Sequence, residues 1–355
     1  MTSALFFFSI FLLWVSLANF ITIRRPGLVQ EIDKSVSILI PVRNEAGNIN
    51  ELVDCLTKQS HLKSLEIIFI DDSSTDSTNK LLKTARSEGA PIKMLNAPEL
   101  PEGWLGKPWA LQQGYLIACG EIIVTIDADV RLTPTAIAQA VSMLGKHDFI
   151  SPYPRQIAIS FAERLVQPLL QWSWMTTVPL RLAERSNRTS LAVANGQFFL
   201  VTKSALDLAS GFQKIAGEVL DDMKLARVLI ATGAHGGVAD GSILAKTRMY
   251  KNFSEIKAGY GKSLWSAFPT RLNTGVAITF IFVTGVAPVL AWFSGNPIGL
   301  FTFQIIVITR ALSAKRSGGR ILDSLLHPIS SVILIYLIIY SWRARGKVQW
   351  KGRTL

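Results

Sequence analysis

Apolar runs of two lengths alternate with polar segments along the chain. The first run, residues 4–23, is long. At ~1.5 Å per residue, a helix of this length crosses a bilayer, so the run predicts an N-terminal transmembrane anchor within residues 1–25. No basic residue precedes the run and no small-residue cleavage site follows it, which disfavours a cleaved signal peptide. Arg24 and Arg25 come next, and the positive-inside rule predicts that the following segment faces the cytoplasm.

Shorter apolar runs, rich in isoleucine and valine, follow the anchor. Their length and composition predict buried β-strands. The predicted strands are residues 35–42, 65–70, 92–95 and 122–126. Segments with helical spacing lie between them, and this β-α-β-α alternation predicts a mainly parallel sheet with helices on both faces.

Two helix starts in this region can be predicted from capping residues. Ser74 or Thr75 is expected near the N-cap of the helix that runs to Arg86. After the fourth strand, Thr133 is expected to cap a helix whose first position is Pro134.

Three more apolar runs lie near the C-terminus, at residues 274–293, 297–312 and 325–342. Within residues 274–342 they predict two to three transmembrane or re-entrant helices. Basic residues lie both between these runs and in the tail, residues 343–355. If all three runs span, the two basic groups fall on opposite sides of the membrane, against the positive-inside rule. The run interrupted by Pro328 is therefore the candidate re-entrant segment.

Two further segments have the composition of helices at a membrane interface. Residues 160–185 carry Trp172 and Trp174 among aliphatic side chains, with arginines near the ends. Residues 256–273 carry Trp265 and Phe268. These four aromatic residues are candidates for a membrane-facing edge, although ordinary packing in a core produces the same pattern.

Composition supports a membrane protein with an anionic ligand. The chain is 49% hydrophobic and 17% charged, with a mean hydropathy of +0.32, which is too apolar for an ordinary soluble domain. The net charge of +12 suggests anionic lipid or a phosphorylated ligand. No basic run interleaved with aromatic residues indicates a nucleic-acid surface. Two cysteines and four scattered histidines predict neither a disulfide framework nor a zinc site.

Acidic residues stand where predicted strands end. Asp71 and Asp72 follow the second strand, and Asp127 and Asp129 follow the fourth. Parallel strands present their carboxyl ends at one edge of the sheet, where open α/β folds bind ligands. Two carboxylates there can ligate a divalent cation or accept a hydrogen bond from a sugar hydroxyl. Two solvated loop acids would give the same short sequence pattern.

The sequence contains neither G-x-G-x-x-G after the first strand nor a Walker sequence. A bound diphosphate would need another partner, and a metal ion held by Asp127 or Asp129 is the natural one. Asp221 and Asp222 stand at a predicted loop-to-helix junction, where acids are also ordinary partners of the helix dipole.

Together these segments resemble a family-2 glycosyltransferase with a GT-A fold. The resemblance is carried by residues 40–45, 70–76, 127–129 and 220–222, which occur in the family's order within residues 36–250. Within that family, residues 103–111 resemble a membrane-bound group that includes hopene-associated and carotenoid (diaponeurosporenoate-type) glycosyltransferases. Residues 246–250 and 350–353 are similar to segments of the same group.

The resemblance implies a nucleotide-sugar site. Five residues would line the nucleoside pocket of a UDP-sugar: Pro41, Asn44, Glu45, Asp71 and Asp72. A carboxylate in that pocket can accept the imide N–H of uracil.

The resemblance also implies the chemistry. Lys107 would lie near the diphosphate, Asp127 would touch the ribose or sugar and share in the metal site, and Asp129 would hold Mg²⁺ or Mn²⁺. Asp222 would act as general base toward the acceptor, with Asp221 beside it; a one-residue slip in the alignment exchanges their roles. A single displacement at the anomeric carbon implies inversion. The Gln-x-x-Arg-Trp run of processive synthases does not follow Asp222, which favours a single transfer.

The sequence therefore predicts a glycosyltransferase domain at residues 33–255 that transfers sugar from a UDP-sugar to a membrane lipid, facing the cytoplasm from the cell inner membrane. Two alternatives stay open. The acceptor could be polyprenyl phosphate, which is already anionic and needs no strong base. The protein could also be a non-catalytic membrane scaffold that retains the fold.

Overall fold

The computed structural model describes residues 2–345, 349–350 and 353–354. Part of the predicted basic tail, residues 343–355, therefore lies outside the described residues: 346–348, 351–352 and 355. The strands are β1 Val36–Val42, β2 Leu65–Asp71, β3 Ile92–Asn96, β4 Ile122–Ile126, β5 Val130–Leu132, β6 Phe149–Tyr153, β7 Arg155–Gln156, β8 Phe198–Thr202, β9 Gly236–Asp240, β10 Ala245–Thr247, β11 Gln349–Trp350 and β12 Arg353–Thr354. The helices are α1 Thr2–Thr22, α2 Ala46–Thr57, α3 Thr78–Ser87, α4 Gly106–Ile117, α5 Ala136–Leu144, α6 Phe161–Val166, α7 Pro168–Thr177, α8 Leu180–Ala183, α9 Lys203–Leu208, α10 Asp221–Ala231, α11 Phe253–Ala267, α12 Arg271–Gly285, α13 Ala287–Phe293, α14 Pro297–Ser317 and α15 His327–Ala344.

The chain divides into two compact units. An α/β unit comprises residues 23–155 and 182–247, and a helical unit comprises residues 1–22, 156–181 and 248–355. The sequence predicted one continuous catalytic range, 33–255, with the amphipathic segment 160–185 inside it. In the structure, residues 156–181 and 248–255 group with the helical unit instead.

A seven-stranded sheet forms the centre of the α/β unit, in the order β3-β2-β1-β4-β8-β6-β9. Strands β3, β2, β1 and β4 are mutually parallel, β8 runs antiparallel to its two neighbours β4 and β6, and β9 is parallel to β6. The prediction of a mainly parallel sheet is therefore confirmed. The four predicted strands are β1 to β4, within one residue at each end.

The sheet has an apolar layer on each face, as the β-branched runs require. Within β1, Val36, Ile38 and Ile40 belong to one buried cluster, which also contains residues of α2 and α5. Leu39 points to the opposite face, into a cluster with residues of α4, α9 and α10. Strands buried on both faces hold the chain at fixed register, which fixes where the polar residues after β1, β2 and β4 emerge.

Both predicted helix starts are wrong by a few residues. Helix α3 begins at Thr78 with Ser77 as its N-cap, because Ser74 and Thr75 are engaged in the preceding loop. The Ser74 hydroxyl donates to Asp71 Oδ1 at 2.5 Å, and the Thr75 amide donates to Asn44 Oδ1 at 2.8 Å.

Helix α5 begins at Ala136 with Thr135 as its N-cap, two residues later than predicted from Thr133 and Pro134. The Thr133 amide donates to the Leu244 carbonyl at 2.8 Å, and the Pro134 carbonyl accepts from the Ser60 amide at 2.9 Å. These two backbone bonds tie residues 133 and 134 to neighbouring segments before the helix starts.

Among the described residues, the helical unit contains four helical segments that are long and apolar enough to cross a membrane: Thr2–Thr22, Arg271–Phe293, Pro297–Ser317 and Ile321–Ala344. Pro328 does not interrupt the last one. It lies in the first turn of α15, where the missing amide proton costs nothing. The argument that Pro328 marks a re-entrant segment is therefore wrong.

Small and polar side chains pack these helices together. From α1, Ser16 donates to the Thr176 hydroxyl at 3.2 Å, and Asn19 Nδ2 donates to the carbonyls of Met175 and Val178 at 2.9 and 2.7 Å. Arg310 of α14 is buried and donates to the Ser330 hydroxyl at 2.8 Å. Hydrogen bonds of this kind hold helices together where no water is present to compete.

The segment predicted as one interfacial helix is instead three short helices, α6, α7 and α8. Trp172 and Trp174 are both buried, so they are not membrane-facing residues of this segment. The Trp172 indole donates to the Thr309 hydroxyl at 2.8 Å and packs edge-on against His327. Its polar group is satisfied inside the helical unit rather than at a lipid surface.

Candidate active site

The carboxyl end of β4 and the start of α10 bring the predicted donor-site acid Asp127 and the predicted catalytic acids Asp221 and Asp222 together within the α/β unit. Asp127 follows β4, and its amide donates to the Gln197 carbonyl at 3.1 Å, directly before β8. Asp221 and Asp222 open α10, which packs on the same sheet through Leu225 and Leu229. Residues nearly 100 positions apart thus meet because β4 and β8 are paired neighbours in the sheet.

Lys107 lies between these carboxylates. Its Nζ is 2.7 Å from Asp127 Oδ1 and 3.3 Å from Asp221 Oδ2. The side chains of Lys107, Asp127 and Asp221 are 33%, 30% and 16% exposed, so the cluster is recessed but open to a ligand. Lys107 occupies the first turn of α4, and its ammonium group bridges the β4 and α10 ends of the site.

Asp222 is held by backbone amides. The Gly196 amide donates to its Oδ2 and the Met223 amide donates to its Oδ1, both at 2.7 Å. Gly196 can approach this closely because it has no side chain. A Cβ at that position would lie 3.1 Å from Asp222 Cβ and 3.2 Å from Lys107 Nζ.

Asp129, the second acid after β4, is oriented by Thr247. The Thr247 hydroxyl donates to Asp129 Oδ2 at 2.8 Å. Thr247 is buried at the end of β10, which pairs with β5 so that Thr247 stands opposite Val130. The β5–β10 pairing therefore places this hydroxyl beside the carboxylate.

Sequence reasoning assigned no role to Gly196 or Thr247. The signals were weak: Gly196 ends a run of small residues before β8, and Thr247 lies in the 246–250 segment that resembles the carotenoid-type group. Neither signal identifies the partner, because both contacts depend on strand pairing between distant parts of the chain.

Burial and like charges shift the protonation of this cluster. Burial, together with the neighbouring Asp221, raises the pKa of Asp222 to about 6. Burial also raises the pKa of Asp127 and of Asp129 above the usual carboxyl range. For Lys107, burial alone would lower the pKa, but the Asp127 and Asp221 carboxylates hold the pKa of its amine well above the usual value. The lysine is therefore a permanent cation in the site.

Two of the predicted nucleoside residues shape the loop after β2. Asn44 adopts a left-handed conformation (φ 53°), and its Oδ1 accepts from the Thr75 and Asp76 amides. Asp71 accepts from the Ser74 amide at 3.0 Å and from Asn79 Nδ2 at 2.9 Å. These bonds hold the loops after β1 and β2 against each other.

The other three predicted nucleoside residues lie at the same end of the sheet. Pro41 lies in β1 opposite Ile70 of β2. Glu45 accepts from Asn48 Nδ2 at 2.7 Å. Asp72 is buried, its carbonyl accepts from Arg43 Nη1 at 2.6 Å, and its carboxylate lies 3.8 Å from the same guanidinium group.

A backbone hydrogen bond ties the loop that precedes α4 to the segment before α10. The Leu105 amide donates to the Ala216 carbonyl at 2.7 Å. A Cβ on Gly217 would lie 3.2 Å from the Gly103 carbonyl oxygen, so the two loops are closely packed. Trp104 and Trp109 flank this loop in an edge-to-face pair with centroids 5.1 Å apart.

The acids of the site suit a metal that arrives with phosphate. Among the described residues, no three His, Cys, Asp or Glu side chains form a complete metal-ligating group. Mg²⁺ and similar hard cations commonly use one or two carboxylates and take their remaining ligands from substrate phosphates and water. Asp127 and Asp129 fit that incomplete donor set.

The fold is shared with a solved structure. A mannosyltransferase from Pyrobaculum calidifontis, solved with GDP-mannose and Mn²⁺, aligns with a TM-score of 0.55 and 16% identity, covering 99% of this chain and 98% of that one. With the mainly parallel sheet, this likeness shows a glycosyltransferase GT-A fold.

The sequence comparisons match the chain to known glycosyltransferases. Residues 37–208 match the model described as Glycosyl transferase family 2. Proteins named 4,4'-diaponeurosporenoate glycosyltransferase are 25% identical to this chain: that of Staphylococcus haemolyticus over 343 residues, covering 91% of this chain and 89% of the relative, and that of Staphylococcus aureus MRSA252 over 340 residues, covering 90% and 88%. The chain carries a family 2 glycosyltransferase domain and is a glycosyltransferase, which confirms the prediction from its motifs.

Proposed function

We propose that the protein is a metal-dependent, inverting glycosyltransferase that transfers one sugar from a UDP-sugar to a membrane lipid of the carotenoid or hopanoid type. The observation that carries this proposal is the meeting of Lys107, Asp127, Asp221 and Asp222 at one end of the sheet. The Lys107 cation and the metal-ligating Asp127 suit the binding of a diphosphate. A carboxylate with a raised pKa, such as Asp222, suits the role of general base.

On the donor side, Asp127 and Asp129 would hold Mg²⁺ or Mn²⁺, which as a Lewis acid supplies stabilisation of negative charge on the departing diphosphate. Lys107 would add its ammonium charge to the same group. Glu45 and Asp72, which follow β1 and β2, would accept hydrogen bonds from the N–H groups of a nucleobase or the hydroxyls of a ribose.

On the acceptor side, Asp222 is the better candidate for the base. Its pKa of about 6 leaves it ionised at neutral pH yet able to take a proton. In this structure Asp221 is paired with Lys107, whereas Asp222 is held in a fixed orientation by the Gly196 and Met223 amides. The proton of the acceptor hydroxyl would pass to Asp222 as the hydroxyl oxygen attacks the anomeric carbon. Attack opposite the leaving diphosphate inverts that carbon.

The acceptor class is supported by the candidate spans and by the names of the relatives. Four candidate membrane-crossing helices associate the chain with a membrane, where a carotenoid or hopanoid resides. Arg24 and Arg25, directly after α1, favour a cytoplasmic α/β unit. The relatives are named for diaponeurosporenoate, a carotenoid carboxylate. A carboxylate acceptor is already ionised at pH 7, so a base would matter less for it than for a lipid alcohol.

The test is nucleotide release by the full-length protein in detergent with Mn²⁺. UDP- and GDP-sugars are each supplied with a lipid alcohol, a lipid carboxylate or polyprenyl phosphate, and Asp222→Asn is compared with wild type. UDP release that depends on the lipid alcohol and falls at least ~100-fold in Asp222→Asn supports the proposal. Release with an anionic lipid that survives Asp222→Asn assigns a carboxylate or phosphate acceptor and removes the role of Asp222 as base. No lipid-dependent release with any donor overturns the proposal.

A further inference from the structure

The ammonium group of Lys107 is paired with Asp127, a carboxylate that the proposed metal would use as a ligand. Lys107 Nζ donates to Asp127 Oδ1 at 2.7 Å and also reaches Asp221 Oδ2 at 3.3 Å. The second acid after β4, Asp129, accepts a hydrogen bond at Oδ2 from the Thr247 hydroxyl. In this structure, both acids after β4 therefore have partners.

A lysine in this position opposes a free divalent ion. Asp127 would have to bind an ammonium group and a divalent cation at the same time. Two cations held by one carboxylate lie close enough to repel one another. The described residues also offer no third His, Cys, Asp or Glu to strengthen metal binding. A free metal ion would have to displace Lys107 while gaining few ligands in return.

A nucleoside diphosphate changes this balance. Its phosphate oxygens give Lys107 a new anionic partner, and they also supply ligands to the metal. Lysine is suited to such an exchange because its ammonium group is a compact charge on a flexible stem. Asp221 would lose its cation in the same movement, which leaves the acids at the start of α10 free to meet the acceptor.

We propose that Lys107 is a resident cation that keeps free divalent metal out of the nucleotide-free site and admits metal only together with a nucleoside diphosphate. This inference rests on the proposed function for the identity of the ligand. It adds that metal and nucleotide bind with strong positive coupling, and that Lys107 is the residue that creates the coupling.

The experiment measures Mn²⁺ binding by electron paramagnetic resonance on the full-length, detergent-purified protein, with and without UDP. Wild type is expected to bind Mn²⁺ weakly alone and much more tightly with UDP. In Lys107→Met, which keeps the length of the side chain but removes its charge, Mn²⁺ alone should bind about tenfold or more tightly than in wild type. With Mn²⁺ affinity in the presence of UDP unchanged, the enhancement of Mn²⁺ affinity by UDP should shrink by the same factor, and by linkage so should the enhancement of UDP affinity by Mn²⁺.

Two further variants make the result specific. Lys107→Gln removes the charge but keeps a hydrogen-bond donor, so it should also raise the affinity for Mn²⁺ alone if Lys107→Met folds poorly. Lys224→Met is the matched control. It removes a lysine of α10 that pairs with Glu218 at 2.8 Å, away from Asp127, and should bind Mn²⁺ as wild type does.

Equal or weaker binding of Mn²⁺ alone in both Lys107 variants would overturn the inference. Failure of the proposed function gives a different result. If UDP and GDP do not bind or strengthen Mn²⁺ binding in wild type, the nucleotide assignment is wrong. The comparison of wild type with Lys107→Met in Mn²⁺ alone still decides whether Lys107 excludes the metal.

Discussion

The backbone amide of Gly196 lies 2.7 Å from Oδ2 of Asp222 and fixes the orientation of the proposed base. The same glycine passes so close to Lys107 that a methyl group at position 196 would contact both side chains. One backbone position thus sets the spacing between the base and the cation of the donor site.

Gly196→Ala should therefore reduce activity far more than stability. The added Cβ would lie 3.1 Å from Asp222 Cβ and 3.2 Å from Lys107 Nζ, so one of the two side chains must move. A displacement of this size in a catalytic group is expected to lower kcat at least ~10-fold. Turnover and thermal unfolding are measured together, with Gly47→Ala as control because open space surrounds its position. Equal turnover in the two variants would show that Gly196 has no part in placing Asp222.

Thr247→Val should weaken the binding of the metal–nucleotide complex. Valine keeps the shape of this buried side chain but removes the hydroxyl that donates to Asp129. Loss of a group that orients a metal ligand typically costs 10–100-fold in affinity, and we expect about that loss for Mn²⁺ in the presence of UDP. Thr247→Ser restores the hydroxyl and should recover most of the affinity. Unchanged Mn²⁺ affinity in Thr247→Val would remove Asp129 from the metal site.

The pH dependence of kcat/KM should report Asp222. Burial, with the adjacent Asp221, raises its pKa to about 6, and only the ionised carboxylate can accept a proton. Activity is therefore full above pH 7 and falls as the pH drops through about 6. A lipid alcohol is the acceptor to use, because its hydroxyl does not titrate in this range. A profile that stays flat down to pH 5 would exclude Asp222 as the base.

Glu163 should stabilise the helical unit through Arg248. Its side chain is fully buried and accepts from Arg248 Nε at 2.9 Å and from the Ser160 amide at 2.6 Å, within a capping box at the start of α6. Arg248 is partly exposed, so the pair is buried on the Glu163 side only, and Glu163→Ala should cost about 1–3 kcal/mol and lower the melting temperature in detergent.

The pairing of Glu163 with Arg248 also predicts how stability changes at low pH. Burial alone would raise the pKa of Glu163, but hydrogen bonds from Arg248 and Ser160 lower it to about 2. A carboxyl group with a lowered pKa contributes stability at pH values above its unfolded pKa, and that contribution is lost as the pH falls toward 2. Wild type should therefore lose more stability between pH 5 and pH 3 than Glu163→Gln does. Parallel curves for the two proteins would contradict the pairing.

The features predicted from the sequence are those that depend on local hydrophobic pattern. The strands from Val36 to Ile126 and the mainly parallel sheet follow from β-branched runs that are buried on both faces. The sequence pattern placed the starts of α3 and α5 too early, because Ser74 and Thr133 are engaged by distant segments rather than by the following helix. Such partners do not appear in a local capping pattern.

The tryptophans show the same limit. Trp172 has the neighbours of an interfacial residue in sequence, yet its indole bonds to Thr309, which lies 137 positions away. The contacts of Gly196 with Asp222 and of Thr247 with Asp129 are also long-range and depend on strand pairing. The motifs name the candidate residues of the site one by one, and the chemical role of each stays a prediction. The groups that orient these residues required the folded structure.

The most direct test of the proposed transfer is to follow the sugar itself. The purified protein is incubated with Mn²⁺, a lipid alcohol and a UDP-sugar labelled in the sugar, and the labelled lipid is examined by NMR at the anomeric carbon. We predict one sugar per lipid, attached with the anomeric configuration opposite to that of the donor, and no product with EDTA or with Asp222→Asn. A product that retains the donor's configuration, or that forms equally well in EDTA, would contradict a metal-dependent inverting transfer.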